Sequence, residues 1–117
     1  MQEYNFFLLP NKNKRFDKIP YSEITHLEGH INYTFIHLRS GKIKISPRTL
    51  RYHEIHSLNE EFLRIHRAFS VNKNYIQGFE SEKNDYLLLI GGVRLSVSRR
   101  RKKCLDGIVV SPFKSIK

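Results

Sequence analysis

Short apolar segments alternate with polar turns along most of the chain, a pattern typical of β-strands joined by tight connections. Residues 33–38 are rich in β-branched and aromatic side chains, and residues 42–45 alternate lysine with isoleucine after a compact turn at 39–41. This pattern predicts a hairpin with one buried and one solvent-facing side. Gly91 and Gly92 predict a second hairpin, because consecutive glycines favour the tight turns that join antiparallel strands. Further strands are predicted at residues 4–9, 24–28, 75–79, 86–90 and 93–97.

The spacing of apolar residues changes after residue 45. Ser46 can cap a helix, and Pro47 suits the first helical position, where a backbone N–H would have no partner within the helix. Apolar residues at positions 50, 55 and 58 then lie near helical spacing. These signals predict one short helix at about residues 47–58. Many short strands with one helix predict a mainly β fold, with the strands in small stacked sheets.

The length of 117 residues predicts a single domain that spans residues 1–117. Its core is expected from about residue 4 to residue 103, and residues 104–117 are expected to form a C-terminal tail. The polar and basic stretch 11–18 is expected to be a loop or the connection of a hairpin. Residues 81–85 have the composition of a turn.

Residues 62–72 read FLRIHRAFSVN and place apolar and polar side chains in close alternation. One interpretation is a surface loop that is pinned tightly to the core, the kind of element that carries function on a rigid scaffold. The other interpretation is an edge strand whose polar side chains face solvent. Four polar members are expected to face water, phosphate or base edges: Arg64, His66, Arg67 and Asn72.

The charge of the chain is strongly positive, with 21 lysine and arginine residues against 11 aspartate and glutamate residues and a formal net charge of +10. A small domain with this charge repels itself unless it meets an anionic partner. Nucleic acid is the first candidate, followed by an acidic membrane surface and an acidic protein. The basic run at residues 98–103 directly follows a predicted hairpin strand, so its first arginines are expected to be held close to the core.

Few residues suggest catalysis or metal binding. The sequence has no phosphate-binding loop, nucleophile elbow or paired-carboxylate motif, so a non-enzyme with no cofactor is predicted. His53 and His56 are three apart on the predicted helix but have no third ligand at motif spacing, which predicts solvent-facing histidines and no metal. His66 is expected to be buried and hydrogen-bonded, so that it fixes its own segment. The single cysteine, Cys104, excludes an intramolecular disulfide and fits a cytoplasmic setting.

Several separated motifs together resemble the LytTR DNA-binding domain family, the output modules of many bacterial response regulators. They are Asn32-Tyr33-Thr34, Ile36-His37-Leu38, the stretch 62–67 reading FLRIHR, Val71-Asn72, Tyr75-Ile76 and the stretch 97–100 reading VSRR. The resemblance implies a mostly β fold whose loops enter successive major grooves of double-stranded DNA. It further implies paired direct-repeat sites, which allow a homodimer on the DNA, and an upstream receiver domain in a longer chain.

The resemblance also implies three base-reading positions, which are Asn32, Arg67 and Arg99. Their chemistry agrees, since asparagine can pair bidentately with adenine and arginine with guanine. Tyr33 is expected to pack on sugar or on its own loop, with a core tyrosine at a strand end as the alternative. Ala68 stands where the family commonly has a small hydroxyl residue, so a phosphate contact is not expected there. Further residues suit phosphate or supporting contacts: Lys44, Arg48, His66, Lys73, Arg94, Ser98, Arg100 and Lys103.

Other function classes stay open at this point. A single-stranded nucleic acid or RNA binder would stack bases on exposed aromatic side chains, although most aromatics here fall on apolar faces. A membrane- or protein-binding module would use the basic run, although no strongly amphipathic helix accompanies it. An enzyme would use Cys104, whose thiol pKa is expected to be lowered by Lys102 and Lys103.

Overall fold

The computed structural model describes residues 6–81 and 83–107, and this part of the chain contains ten β-strands and one α-helix. The strands form sheets of two, three and five strands, and all the pairings between them are antiparallel. The strands are β1 Phe6–Pro10, β2 Phe16–Pro20, β3 Ile24–Gly29, β4 Thr34–Leu38, β5 Ile43–Ser46, β6 Phe62–His66, β7 Phe69–Asn72, β8 Ile76–Ser81, β9 Asp85–Leu89 and β10 Arg94–Ser96, and the helix is α1 Leu50–His56.

The five-stranded sheet, in the order β5-β4-β3-β7-β6, lies between two apolar clusters. Leu27 and Ile36 belong to the first cluster, together with Phe7 of the β1–β2 hairpin and Leu50 of α1. Val71 belongs to the second cluster, which packs β6 and β7 against the three-stranded sheet β10-β9-β8. Because successive side chains of a strand point to opposite faces, one sheet supports both clusters.

Both hairpins predicted from the turn residues are present. Residues 39–42 connect β4 to β5, and residues 90–93, which include Gly91 and Gly92, connect β9 to β10. Gly91 and Gly92 have φ angles of 103° and 94°, a region that favours glycine. The hairpin alternative for residues 11–18 is also correct, although the sequence did not predict that β2 begins at Phe16.

The helix is shorter than predicted and has a different N-cap. It spans seven residues, and the Thr49 side chain accepts the backbone N–H of Tyr52 at 3.1 Å. Ser46 is instead the buried last residue of β5, and its Oγ hydrogen-bonds with Nε2 of His53 at 2.6 Å. Pro47 therefore lies in the connection before the helix, because the pairing of β5 with β4 extends the strand through Ser46.

His53 contradicts the prediction of solvent-facing helix histidines, since only 1% of it is exposed. Leu50 and His53 are three apart on α1, so both side chains turn towards the core. The two ring nitrogens of His53 hydrogen-bond with the hydroxyls of Ser46 and Ser57. Burial, with the nearby charge of Arg48 adding to it, lowers the pKa of His53 to about 4. His56 is exposed, as predicted.

Residues 62–72 form two strands rather than a surface loop. β6 is an edge strand, as the second interpretation had it, whereas β7 lies inside the sheet between β3 and β6. Asn72 therefore does not face solvent, and its exposed fraction is 0%. Its side-chain N–H groups donate to the backbone oxygens of Tyr21 and Ile24 at 3.2 and 2.9 Å, and its Oδ1 accepts the backbone N–H of Asn74 at 2.9 Å.

We expect Asn72→Ala to lower the free energy of unfolding by about 2 kcal/mol, because buried backbone groups lose their hydrogen-bond partners. Urea unfolding followed by circular dichroism measures the change. Asn74→Ala is the matched control, since Asn74 is exposed and its side chain makes one long contact of 3.4 Å with Glu61. Equal stability of the two variants would contradict a structural role for Asn72.

Candidate nucleic-acid interface

One edge of the five-stranded sheet, here called the loop edge, carries the connections of interest. β3, β5 and β6 end at this edge, and β4 and β7 begin there. The β3–β4 loop at residues 30–33 and the β6–β7 turn at Arg67 and Ala68 therefore leave the sheet side by side.

Three hydrogen bonds fix the order of segments along the loop edge. The backbone N–H of Gly29 donates to the carbonyl of Ala68 at 2.7 Å, which joins the β3–β4 loop to the β6–β7 turn. The Thr34 hydroxyl donates to the carbonyl of Arg48 at 2.8 Å. On the other side, the backbone N–H of Ser98 donates to the carbonyl of Ile65 at 2.9 Å, so the segment 98–101 lies beside the end of β6.

The loop edge brings together the three residues predicted to read bases. Asn32, Arg67 and Arg99 are all exposed, each in a different connecting segment. The connecting segments form a row along the loop edge, and five strands at about 4.8 Å spacing make this row roughly 20 Å wide. Further predicted site residues accompany them on or beside this edge: Tyr33, Arg48, His66, Ser98, Arg100 and Lys103.

Three predicted phosphate contacts lie away from the loop edge. Lys73 follows the opposite end of β7 and is half-buried, with its backbone N–H donating to the carbonyl of Glu61. Arg94 begins β10 beside the glycine turn, where it pairs with Glu80 at 2.7 Å. Lys44 is exposed midway along β5. Their positions depend on strand register and on which sheet each strand joins, and the sequence motifs specified neither.

The side chains of Arg64 and His66 brace the β6–β7 turn. Nε and Nη2 of Arg64 donate to the carbonyls of His66 and Arg67 at 2.8 and 2.5 Å, and Nη1 pairs with Oε1 of Glu54 at 2.6 Å. Nδ1 of His66 accepts the backbone N–H of Ala68 at 3.0 Å. Burial lowers the pKa of His66, and the charges of Arg67, Arg64 and Arg101 lower it further, which favours the neutral ring that this bond requires.

The structure corrects two predictions about this turn. His66 does fix its own segment through a hydrogen bond, but it is half-buried rather than buried. Arg64 was expected to reach outward, whereas 12% of its side chain is exposed and its guanidinium points into the turn. The pairing of Arg64 with Glu54 joins β6 to α1, a contact between separate elements that no local motif could indicate.

Tyr33 lies in the β3–β4 loop and packs against its own neighbours. Its ring lies 5.7 Å from the His30 ring and 5.6 Å from the Phe35 ring, measured between centroids. With 42% of Tyr33 exposed, the alternative of a core tyrosine is wrong. Glu28 supports the same loop, since its carboxylate lies 3.0 Å from Nε2 of His37 and 3.6 Å from Nε2 of His30.

The basic run is folded against β6 rather than extended into solvent. The backbone N–H of Arg101 donates to the carbonyl of Ser98, and Lys102–Leu105 form a 3₁₀ helix. Sγ of Cys104 donates to the carbonyls of Arg101 and Arg64 at 2.7 and 3.5 Å. Burial raises the pKa of the Cys104 thiol despite the nearby charge of Arg101, so the predicted lowering is wrong. Residues 108–117 of the predicted tail lie outside the described residues.

The described residues do not form a metal site or a membrane-spanning helix. Within residues 6–81 and 83–107, no group of three or more histidine, cysteine, aspartate or glutamate side chains is arranged to hold a metal ion. No helix in this described part has the length and apolar character needed to cross a membrane.

Comparison with known families identifies the chain. The family model of the LytTr DNA-binding domain matches residues 14–109. The chain belongs to this family. This LytTr domain therefore belongs to a class of DNA-binding domains, as the motifs predicted. A search of curated proteins finds no match.

A solved structure has the same fold as this LytTr domain. It is the LytTr DNA-binding domain assigned to a methyl-accepting/DNA response regulator of Bacillus cereus. The match has a TM-score of 0.72 and 20% sequence identity, and it covers 91% of this chain and 97% of the other. The predicted mainly β, LytTR-like fold of small sheets with one short helix is thereby confirmed.

Proposed function

We propose that this LytTr domain binds double-stranded DNA sequence-specifically, as the output domain of a bacterial transcriptional regulator of the two-component response-regulator type. The observation that carries this proposal is the loop edge, where Asn32, Arg67 and Arg99 are exposed in three adjoining segments. The net charge of +10 supplies the attraction to phosphate that such binding requires.

Base recognition follows from the chemistry of the three side chains. The Asn32 amide can donate to and accept from the N6 and N7 edge of adenine, and Arg67 and Arg99 can each donate twice to O6 and N7 of guanine. A row roughly 20 Å wide exceeds the width of one major groove, about 12 Å. One major groove therefore cannot take the whole row, and we propose that the segments at its two ends enter neighbouring grooves without a recognition helix.

Phosphate contacts flank the base-reading candidates. Arg48 lies at one end of the row, and Arg100 and Lys103 lie at the other. All three are exposed, and long cationic side chains at the rim of an interface bind phosphate without reading sequence. These contacts orient the domain so that the three loops meet base edges. The sequence specificity then resides in the loops, and much of the affinity resides in the charge.

The arrangement on DNA and in the cell extends the proposal. The loop edge of one domain reads a short site. Two domains on paired direct repeats would raise both affinity and specificity, because the second domain binds at a high effective concentration. We therefore place a homodimer on the DNA, formed in the cytoplasm. In a longer chain, an upstream receiver domain would control that assembly. We assign no catalytic role, because the thiol of Cys104 is held as a hydrogen-bond donor with a raised pKa.

Selection of bound sites from a random duplex pool tests the proposal. We expect an enriched motif that contains guanines and occurs as two repeats in the same orientation. The alternative is a single-stranded DNA or RNA module, for which the exposed ring of Tyr33 is the supporting observation. Single-stranded competitor of the selected sequence separates the two, since stronger competition by the single strand, or no enriched motif, would refute the proposal.

A further inference from the structure

Arg64 occupies an unusual position for a charged residue. It lies on edge strand β6 next to the loop edge, yet only 12% of its side chain is exposed. Burial lowers the pKa of its guanidinium, and the Glu54 carboxylate is the strongest opposing influence. A partly buried ion pair of this kind adds little net stability, because the cost of withdrawing the Arg64 guanidinium from water offsets much of its attraction to the Glu54 carboxylate. The role of the Arg64–Glu54 pair therefore lies in the backbone groups that it holds in place.

The guanidinium of Arg64 holds two consecutive carbonyls of one turn. Nε donates to the carbonyl of His66 and Nη2 to the carbonyl of Arg67, at 2.8 and 2.5 Å. Nη1 is tied to Glu54 of α1 at 2.6 Å. Because guanidinium is planar with its donors in a fixed fork, three anchored donors fix the plane and with it both carbonyls. These three donors are therefore occupied by acceptors of the protein itself.

We propose that Arg64, anchored by Glu54, is a positioning residue that aims the Arg67 side chain at its base. This inference rests on the proposed function. Fixing the carbonyls on either side of the Arg67 Cα sets the direction in which its side chain leaves the turn. Bidentate reading of a guanine tolerates little misalignment, so a loosened turn loses discrimination before it loses general attraction to DNA.

The position of the carboxylate makes the proposal specific. Glu54 lies on α1, which packs against β3 and β7, and Glu54 is not itself a predicted DNA contact. Removing its charge leaves the Arg64 guanidinium beside the charges of Arg101 and Arg51 without the opposing carboxylate, and these charges then repel the guanidinium from its place. A residue that never touches DNA would thereby control how one base is read.

Glu54→Gln tests the proposal against a matched control, Glu80→Gln. Glu80 forms a similar carboxylate–guanidinium pair with Arg94, at 2.7 Å on the three-stranded sheet, away from the loop edge. Both variants raise the net charge by one, so both attract DNA in general to the same degree. Each is measured by fluorescence anisotropy on the selected duplex and on a duplex changed at the base pair whose reading Arg67→Ala relaxes.

We expect Glu54→Gln to reduce the affinity ratio of these two duplexes about tenfold, within the range that one bidentate contact provides. Glu80→Gln should keep the ratio of the wild type. Thermal unfolding of both variants checks the fold, and the partly exposed position of Glu54 favours a folded protein. Unchanged ratios in Glu54→Gln would overturn the positioning role.

Arg64→Lys provides an independent test. Lysine keeps the positive charge but cannot span two carbonyls and a carboxylate as the fork does. If Arg64 positions Arg67, Arg64→Lys loses discrimination between the two duplexes but still binds random duplex. If Arg64 only contacts phosphate, Arg64→Lys keeps both the discrimination and the binding to random duplex. Loss of discrimination in Arg67→Ala with its retention in Glu54→Gln and Arg64→Lys overturns this inference alone. A wild type that binds all duplexes equally overturns the proposed function as well.

Discussion

The free energy of unfolding of this LytTr domain should fall by about 4 kcal/mol between pH 7 and pH 5, as two buried histidines resist protonation. His26 is 4% exposed and His53 is 1% exposed. Burial, with the charge of His37 adding to it, lowers the pKa of His26 to about 3, and burial together with the charge of Arg48 lowers that of His53 to about 4.

The direction of this pH dependence follows from which state takes up protons. The unfolded chain binds a proton at each histidine below pH about 6.5, whereas the folded protein keeps both rings neutral until the pH approaches the lowered values. The stabilisation is therefore complete above pH 6.5 and is lost as the pH falls from there towards 4 and 3. At pH 5 each histidine has cost about 2 kcal/mol.

Urea unfolding at several pH values between 7 and 5 measures this loss. His26→Gln and His53→Gln should each remove about half of the pH dependence, even if they lower stability at pH 7. His56→Gln is the control, since His56 lies on the same helix but is exposed. A pH dependence that survives unchanged in His26→Gln and His53→Gln would show that other groups cause it.

Arg67→Ala and Arg99→Ala should each weaken binding to the selected duplex by about 1–3 kcal/mol, which is roughly 5- to 150-fold, and should each relax one base position. In the proposed complex each variant would remove a bidentate contact to a base edge, so its effect on random duplex should be much smaller. Gel shifts on the selected duplex, its single-base variants and a random duplex measure the two effects separately.

Lys73→Ala is the matched control for these arginines. It removes one positive charge as they do, but Lys73 lies at the opposite end of β7 from the loop edge. We expect little change in affinity or in salt dependence for Lys73→Ala. Equal losses on the selected and random duplexes for Arg67→Ala and Arg99→Ala would remove their assignment as base readers and leave them as phosphate contacts.

Local sequence signals predicted most of the elements of this fold. Alternating apolar residues and paired glycines indicated the hairpins β4–β5 and β9–β10, because strand period and turn conformation depend on nearby residues. The helix bounds were less accurate, since the pairing of Ser46 with Thr34 extends β5 at the expense of a helical start. The spacing of apolar residues within one segment does not show which strand that segment pairs with.

The positions of the candidate site residues were likewise predicted only in part. The motifs selected Asn32, Arg67 and Arg99, and the structure places all three on one edge. The alternation of apolar and polar residues in 62–72 predicted that Asn72 and Arg64 face outward, whereas Asn72 is buried among backbone carbonyls and Arg64 braces a turn. Polar residue type alone does not distinguish a side chain that binds a partner from one that satisfies the protein's own buried groups.

By itself the sequence determined the β class, the turns, the positive charge and which side chains have the donors and acceptors that base reading requires, because each depends on residue type and near neighbours. Tertiary structure alone decided which polar side chains are free to meet DNA. Antiparallel register aligns the ends of strands that are far apart in the chain, and it sets Arg67 on the loop edge while it buries Asn72 and holds Arg64 against Glu54.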